Sequence, residues 1–172
     1  MGVEIERKYL VNKDKWNRLD KGAGILYRQG YLLVDPEKTI RVRLGDNRGF
    51  ITIKGLTIGA SRLEYEYEIP AREAMELLDK FCPSDISKIR YKIIHAGKLW
   101  EVDEFLGNNE GLIVAEIELT SEQETFDLPD WVGEEVTDQT KYYNASLSIK
   151  PYKSWRGFSV KLVIFKFIEN FL

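Results

Sequence analysis

Val3-Glu4-Ile5-Glu6-Arg7-Lys8-Tyr9 alternates apolar and charged side chains. Read with the two-residue period of a strand, it places Glu4, Glu6 and Lys8 on one face and Val3, Ile5 and Tyr9 on the other. Neighbours on one face lie about 6.5–7 Å apart along the strand. Further along the chain the same spacing groups Arg41 with Arg43, Thr52 with Lys54, and Arg62 with Glu64, Glu66 and Glu68. It also groups Lys88 with Arg90, Glu101 with Asp103, and Glu116 with Glu118. Nearly every strand therefore has one ionic and one apolar face.

These alternations predict strands over residues 3–11, 25–33, 39–44, 49–54, 61–69, 87–95, 98–105 and 112–119. Asp46-Asn47-Arg48-Gly49 supplies a hairpin turn. Asn12 can cap a short helix carrying Trp16 and Leu19. A second helix is expected over 72–81, with Met75, Leu78 and Phe81 on one side, between Pro70 and Pro83. A third is expected over 138–147, capped by Thr137 or Asp138.

For any single strand, the simplest account of an ionic face is a sheet with one side in water. The like-charge pairs Glu4/Glu6, Glu116/Glu118 and Arg41/Arg43 argue against that account when the strands are taken together. At about 6 Å and an effective dielectric near 20, each carboxylate pair costs ~2–3 kcal/mol. Sequestered carboxylates need cations, and a hard divalent metal with oxygen ligands supplies them while keeping phosphate oxygens in its shell. Arg and Lys from neighbouring strands would face the same phosphates, Arg in bidentate fashion and Lys as a point charge. A closed barrel puts both sets of charges around one lumen, with helices covering its apolar outside.

The bulk properties fit one domain. The chain has 172 residues, 44% of them hydrophobic, and 25 Lys+Arg against 28 Asp+Glu give a net charge of −3. That charge offers no general footprint for nucleic acid, and no aromatic-basic patch suggests one. The single cysteine, Cys82, permits no internal disulfide, and the charged start of the chain has no apolar signal region, so a cytoplasmic setting is expected. Cys82 reads as a small apolar filler. His95, the one histidine, reads as a turn residue beside Ala96-Gly97 rather than a general base. Ser61 and Ser87 have no histidine partner, which speaks against serine nucleophile chemistry.

The main unit is expected over 1–155. The remainder, 156–172, forms an apolar C-terminal extension of unassigned role that includes Leu162, Val163, Ile164, Phe165, Phe167, Ile168, Phe171 and Leu172. It is shorter than the roughly 20 apolar residues of a membrane span, so an extra packed helix or strand, or else a poorly ordered extension, is expected there and no membrane partner.

Glu4-Ile5-Glu6-Arg7-Lys8 resembles the ExExK signature of the CYTH superfamily, the triphosphate tunnel metalloenzymes, in its short bacterial form. The resemblance continues through Gln29-Gly30-Tyr31-Leu32, Arg41-x-Arg43, Thr52-x-Lys54-Gly55 and Glu64-Tyr65-Glu66-Tyr67-Glu68-Ile69-Pro70. It then takes in Lys88-x-Arg90-Tyr91, Trp100-Glu101-Val102-Asp103-Glu104-Phe105, Ala115-Glu116-Ile117-Glu118-Leu119 and Tyr142-x-Asn144, covering roughly residues 3–150. One short acidic pattern is weak evidence, whereas an ordered series of this length is strong.

The resemblance implies a mostly β chain: a closed eight-stranded antiparallel tunnel with helices packed outside. It implies a small-molecule triphosphate held with Mg²⁺ or Mn²⁺, and it admits a homodimer without requiring one. By similarity, Glu4, Glu6, Glu116 and Glu118 are metal ligands. Lys8, Arg41, Arg43, Lys54, Lys88 and Arg90 hold phosphate, and Lys141 reaches in from the last helix. Lys8, Glu64, Glu66 and Asp103 form the catalytic set, through a second metal or an oriented water. Tyr31 lies where short members carry a tunnel tyrosine, and Arg62 and Glu68 lie towards the rim. The activity implied is metal-dependent hydrolysis of inorganic tripolyphosphate to pyrophosphate and phosphate. Nucleoside or thiamine triphosphatase, class IV-type adenylate cyclase and a non-catalytic triphosphate binder are the alternatives. A pure polyanion binder gains nothing from carboxylates beside phosphate unless metal is present.

Overall fold

Alternation of the kind seen at residues 3–9 yields strands whose inner and outer faces differ in character, and the computed structural model, which describes residues 2–156, closes them into a ring. The elements are β1 (Gly2–Val11), α1 (Lys13–Arg18), β2 (Ile25–Val34), β3 (Lys38–Gly45), β4 (Arg48–Gly55), β5 (Ser61–Ile69) and α2 (Ala71–Lys80). They continue with β6 (Asp85–His95), β7 (Lys98–Phe105), β8 (Ile113–Glu118), β9 (Val132–Glu135) and α3 (Asn144–Ile149). The strand order is β5-β4-β3-β2-β6-β7-β8-β1, all antiparallel, and β1 pairs back onto β5 from Gly2↔Glu64 to Ile5↔Ser61. An eight-stranded barrel results. One edge of β1 is shared: β5 takes its first half, while β9, a strand the alternation did not predict, pairs with Tyr9 and Val11.

Turn chemistry sets the register of the hairpins. Asp46 and Asn47 adopt positive φ of 52° and 56° between the paired Gly45 and Arg48, the two-residue turn that matches strand twist. Ala96 and Gly97 do the same between His95 and Lys98. His95 is thus the last residue of β6, half-buried beside a turn.

Outside the ring, α1 and the segment before β9 cover β1, β7 and β8. Trp16, Trp100, Trp131 and Tyr9 are buried there, with Trp16 and Trp100 edge-on to Trp131 at 5.3 and 5.7 Å. Asn12 caps α1 by accepting the Lys15 N–H at 3.1 Å. The second helix, α2, lies over β2–β4 and buries Ala74 and Leu78 against Val42. It comes so close to β4 that a Cβ on Gly49 would stand 2.6 Å from that of Ala74. The expected apolar side is therefore corrected: Met75 and Phe81 are exposed, because close packing selects Ala74 for the contact row with Leu78. Cys82 is a free, half-buried thiol whose Cβ and sulfur lie 2.8 and 3.0 Å from where a Cβ on Gly30 would stand.

The inside has two zones. Leu10, Ile86, Phe105 and Val114 lie on the same strand faces as Lys8, Lys88, Asp103 and Glu116, yet they are apolar and, with Leu112 just before β8, pack around Leu147 of α3. Leu147 plugs this end of the bore and is fully buried. The expected 138–147 helix is a single 3₁₀ turn, Thr140–Tyr142, followed by the six-residue α3. Among the described residues no helix is long and apolar enough to cross a membrane. The apolar stretch 157–172, and the expectation of an extra packed element there, lie outside the described residues.

The plug generates a stability prediction. Leu147→Ala should lower unfolding free energy by ~2–5 kcal/mol in urea denaturation. Ile149→Ala, on the exposed side of the same helix, should change it by less than ~0.5 kcal/mol. Equal effects would mean that α3 does not seal the bore.

Candidate functional site

Pairing registers decide which charges meet. Across β1 and β8, Glu6 stands opposite Glu118 and Lys8 opposite Glu116. Across β4 and β5, Thr52 stands opposite Glu66 and Lys54 opposite Glu64, while β6 and β7 oppose Arg90 to Asp103. The inward side chains form a nearly continuous lattice of ion pairs. Lys8 donates to both Glu6 and Glu116, and Arg90 donates to Glu116 at 2.9 Å, to Asp103 at 2.6 Å and also to Glu101. Glu4 receives Arg62 at 2.6 Å and Lys54 at 3.2 Å, and Lys54 lies 2.6 Å from Glu64. Arg41 donates to Thr52 at 2.8 Å and to Glu66 at 3.1 Å, and Arg43 donates to the same carboxylate at 3.0 Å.

These groups line a cavity of about 490 Å³. Its wall carries Glu4, Glu6, Glu64, Glu66, Glu101, Glu116 and Glu118 against Lys8, Arg41, Arg43, Lys54, Arg62, Arg90 and Lys92: seven charges of each sign. A second chamber of about 600 Å³ adjoins it and shares Lys8, Arg41, Lys54 and Arg62. Asn144, the first residue of α3, touches both, and its Oδ1 is buried without a hydrogen-bond partner. The segment carrying it is strapped to β1. Thr137 Oγ1 accepts the Lys8 N–H at 3.1 Å, Val136 N–H donates to the Lys8 carbonyl at 2.8 Å, and the Tyr143 hydroxyl donates to the Thr137 carbonyl at 2.9 Å.

Electrostatics follow from the lattice. Burial alone would lower the Lys8 pKa, but Glu116 and Glu6 outweigh it and hold the ammonium above its ordinary value. Burial likewise works against the charged form of Glu116, yet Lys8, Arg90 and Lys88 hold its pKa well below the usual carboxylate range. Glu118 is the exception: burial, then Glu4, Glu64 and Glu6, raise its pKa, and among the described residues it forms no ion pair. Burial, followed by Arg41 and Arg62, lowers that of Lys54. Tyr31 is buried, accepts from Gln29 at 3.1 Å, and is pushed up to about 12 by burial despite Arg41.

Of the residues singled out in the sequence, Glu4, Glu6, Lys8, Arg41, Arg43, Lys54, Glu64, Glu66, Arg90, Glu116 and Glu118 meet at the cavity. Lys88 and Asp103 do not reach it. Each is 1% exposed, they pair at 2.5 Å, and Lys88 stands opposite Phe105 at the edge of the apolar plug. Lys141 is elsewhere, its ammonium 4.9 Å from the centre of the Tyr142 ring and 5.3 Å from that of Trp155. Arg62 is not a rim residue, since it bridges Glu4 and Glu6 inside. Glu68, by contrast, pairs on the outer rim with Arg48. Glu101 and Asn144 join the site as well. The first was visible as the i−2 partner of Asp103, whereas nothing in the helix pattern pointed Asn144 inward.

The donors suit a hard cation: carboxylate oxygens, one unpaired glutamate opposite another, and no histidine or thiol. Among the described residues no three acidic groups converge as a coordination sphere, because Lys8, Lys54, Arg62 and Arg90 hold them apart. The wall of this glutamate-lined cavity is balanced, so it offers a polyanion no net positive charge of its own.

Comparison with known proteins agrees with this chemistry. The CYTH domain model matches residues 2–151. An inorganic triphosphatase of Acetivibrio thermocellus is 51% identical over 157 residues, spanning 91% of this chain and 99% of that protein. An inorganic triphosphatase of Nitrosomonas europaea is 34% identical over 151 residues, spanning 86% and 97%. The crystal structure of an inorganic triphosphatase, 33% identical, superposes with a TM-score of 0.60 over 85% of this chain and 97% of that one.

The buried Lys88 generates a pH prediction. Burial, then Arg90, bring its pKa down to about 8 against the pull of Asp103, from an ordinary 10.5. Between those values the unfolded chain binds more protons than the folded one, so this group makes stability rise with pH. The slope is on the order of 1 kcal/mol per pH unit. Urea unfolding from pH 8 to 10 should show that rise in the wild type and a flatter profile in Lys88→Met. Parallel profiles would contradict it.

Proposed function

The chain belongs to the CYTH domain family, and from that membership we propose that it hydrolyses inorganic tripolyphosphate to pyrophosphate and phosphate with the help of Mg²⁺ or Mn²⁺. The observation that carries the proposal is the balanced cavity: seven acids and seven bases around 490 Å³. A neutral wall has no net charge to offer a polyanion, whereas divalent cations held by part of the acids leave the Arg and Lys set facing phosphate. Two relatives named as inorganic triphosphatases, which this chain covers almost end to end, support the choice of substrate.

The roles divide by charge. Glu4, Glu6, Glu116 and Glu118 would hold the cation, which on binding supplies Lewis-acid stabilisation of phosphate charge. Arg41, Arg43, Lys54 and Arg90 would bind phosphate oxygens; Arg41 and Arg43 each keep a buried Nε–H without a partner, ready for an anion. With Glu6 and Glu116 engaged elsewhere, the Lys8 ammonium turns to the phosphoryl group. Glu64 and Glu66, which lie 4.0 and 3.1 Å from Arg41 and fix it, would orient the attacking water. Lys88 and Asp103 act indirectly: Asp103 aims Arg90 through two hydrogen bonds, and Lys88 neutralises Asp103 from below. Arg62 keeps Glu4 and Glu6 apart. Water adds to the terminal phosphorus, the bond to the bridging oxygen breaks, and the electron pair leaves with pyrophosphate. The proposed setting is the cytoplasm, which fits a chain with one free thiol.

A nucleoside triphosphatase is the second reading, because Tyr31, Leu56 and Tyr143 give the second chamber walls that could accept an organic group. Phosphate, pyrophosphate and cyclic AMP released from tripolyphosphate, ATP and thiamine triphosphate, with Mg²⁺, Mn²⁺ or EDTA, decide between them. Tripolyphosphate should turn over fastest, EDTA should abolish activity, and no cyclic AMP should form. Cyclic AMP as the main product from ATP, with little phosphate from tripolyphosphate, would overturn the assignment.

Substitutions test the roles. Glu118→Gln should raise the Mg²⁺ concentration for half-maximal rate by about ten- to a hundredfold with the barrel intact. Arg41→Ala and Arg43→Ala should each lower kcat/KM by more than about tenfold. Lys13→Ala, on exposed α1, should change it less than about twofold. Equal, small effects at all these sites would return the charges to a solvated surface.

A further inference from the structure

The reaction above uses the carboxylate-lined cavity and leaves the second chamber without a role in tripolyphosphate hydrolysis. The two share four cations, Lys8, Arg41, Lys54 and Arg62, and differ in their acids. The described wall of the second chamber carries no glutamate. Its aspartates are Asp138, which is exposed, and Asp35, whose Oδ1 accepts the Glu37 N–H at 2.9 Å within the β2–β3 turn. It adds a fifth cation, the exposed Lys38, which forms no ion pair with a described carboxylate. One bank of cations is thus faced by acids on one side and by almost none on the other.

That asymmetry separates the two products. Pyrophosphate, with more oxygens, keeps its hold on a cation seated among glutamates. Orthophosphate that has lost the cation meets those glutamates as like charges, whereas across the shared bank it meets chiefly positive charge. We propose that the second chamber is an anion port, which binds orthophosphate without metal and lets it leave while metal and pyrophosphate stay on the glutamate side. The port rests on the hydrolase reading, and it handles a finished product, so it adds no bond change to the reaction.

Lys38→Glu on β3 and Thr57→Glu on the β4–β5 loop place a negative charge in the port from two elements, and neither residue lines the glutamate cavity. In EDTA, calorimetric titration of the wild-type protein with inorganic phosphate should show saturable binding, weakened about fivefold or more in both variants. With Mg²⁺, inhibition by added orthophosphate should weaken by the same factor. The KM for tripolyphosphate and inhibition by pyrophosphate should stay within about twofold. No saturable phosphate binding by the wild type in EDTA, or equal binding by both folded variants, would overturn the port. So would pyrophosphate inhibition that weakens in step. The metal-free titration needs no turnover, so the port stands or falls there whatever the hydrolysis assay shows.

Discussion

Charges facing the inside of a closed barrel must neutralise one another or be neutralised by something that enters. In this protein they do the first almost completely. Lys8 sits between Glu6 and Glu116, Arg62 between Glu4 and Glu6, and Arg90 among Asp103, Glu101 and Glu116. Such a lattice is a poor investment for stability alone, since buried ion pairs roughly offset their own desolvation. Its use is that each pair can be reopened. In the proposed reaction a cation on the acids and an anion on the bases would keep the sum near zero throughout.

The rest of the architecture keeps that lattice in place. The outer tryptophan cluster and α2 make the ring rigid from outside, and the Leu147 plug closes one end of the bore. Beneath the cavity, Lys88 and Asp103 form a base layer that is almost fully buried, so Arg90 is aimed by groups that solvent does not reach. The strap from Val136 to Asn144 ties the plug to the backbone of Lys8. Fold and site therefore share their interactions, and loosening the plug should be felt at the ammonium that links Glu6 to Glu116.

Period-two alternation made the eight barrel strands legible and told which side chains share a face. Like-charge pairs such as Glu116/Glu118 hinted that the face was enclosed, and the family resemblance supplied closure into a ring. What alternation cannot give is depth along the barrel axis, which depends on strand stagger. Lys88 and Arg90 share a face, but the first stands opposite Phe105 beside the plug and the second opposite Asp103 below the cavity. For the same reason alternation does not distinguish an interior Arg62 from one at the rim, whereas pairing of β1 with β5 sets it directly across from Glu4. Lys141 and Asn144 exchanged places as inward residues because the expected 138–147 helix breaks at Tyr143, which rotates the face presented to the bore. Strand β9 has four residues, too few to alternate visibly.

The central claim is that the balanced, glutamate-lined cavity takes up the triphosphate chain only together with metal. Equilibrium binding of a non-hydrolysable imido analogue of tripolyphosphate, by calorimetry with Mg²⁺ and again in EDTA, tests it most directly. The account predicts tight binding with metal, and in EDTA binding no tighter than that of orthophosphate. Equal, tight binding of the analogue in both conditions would contradict it, because the cations of the lumen would then be free to hold the chain without displacing their carboxylates.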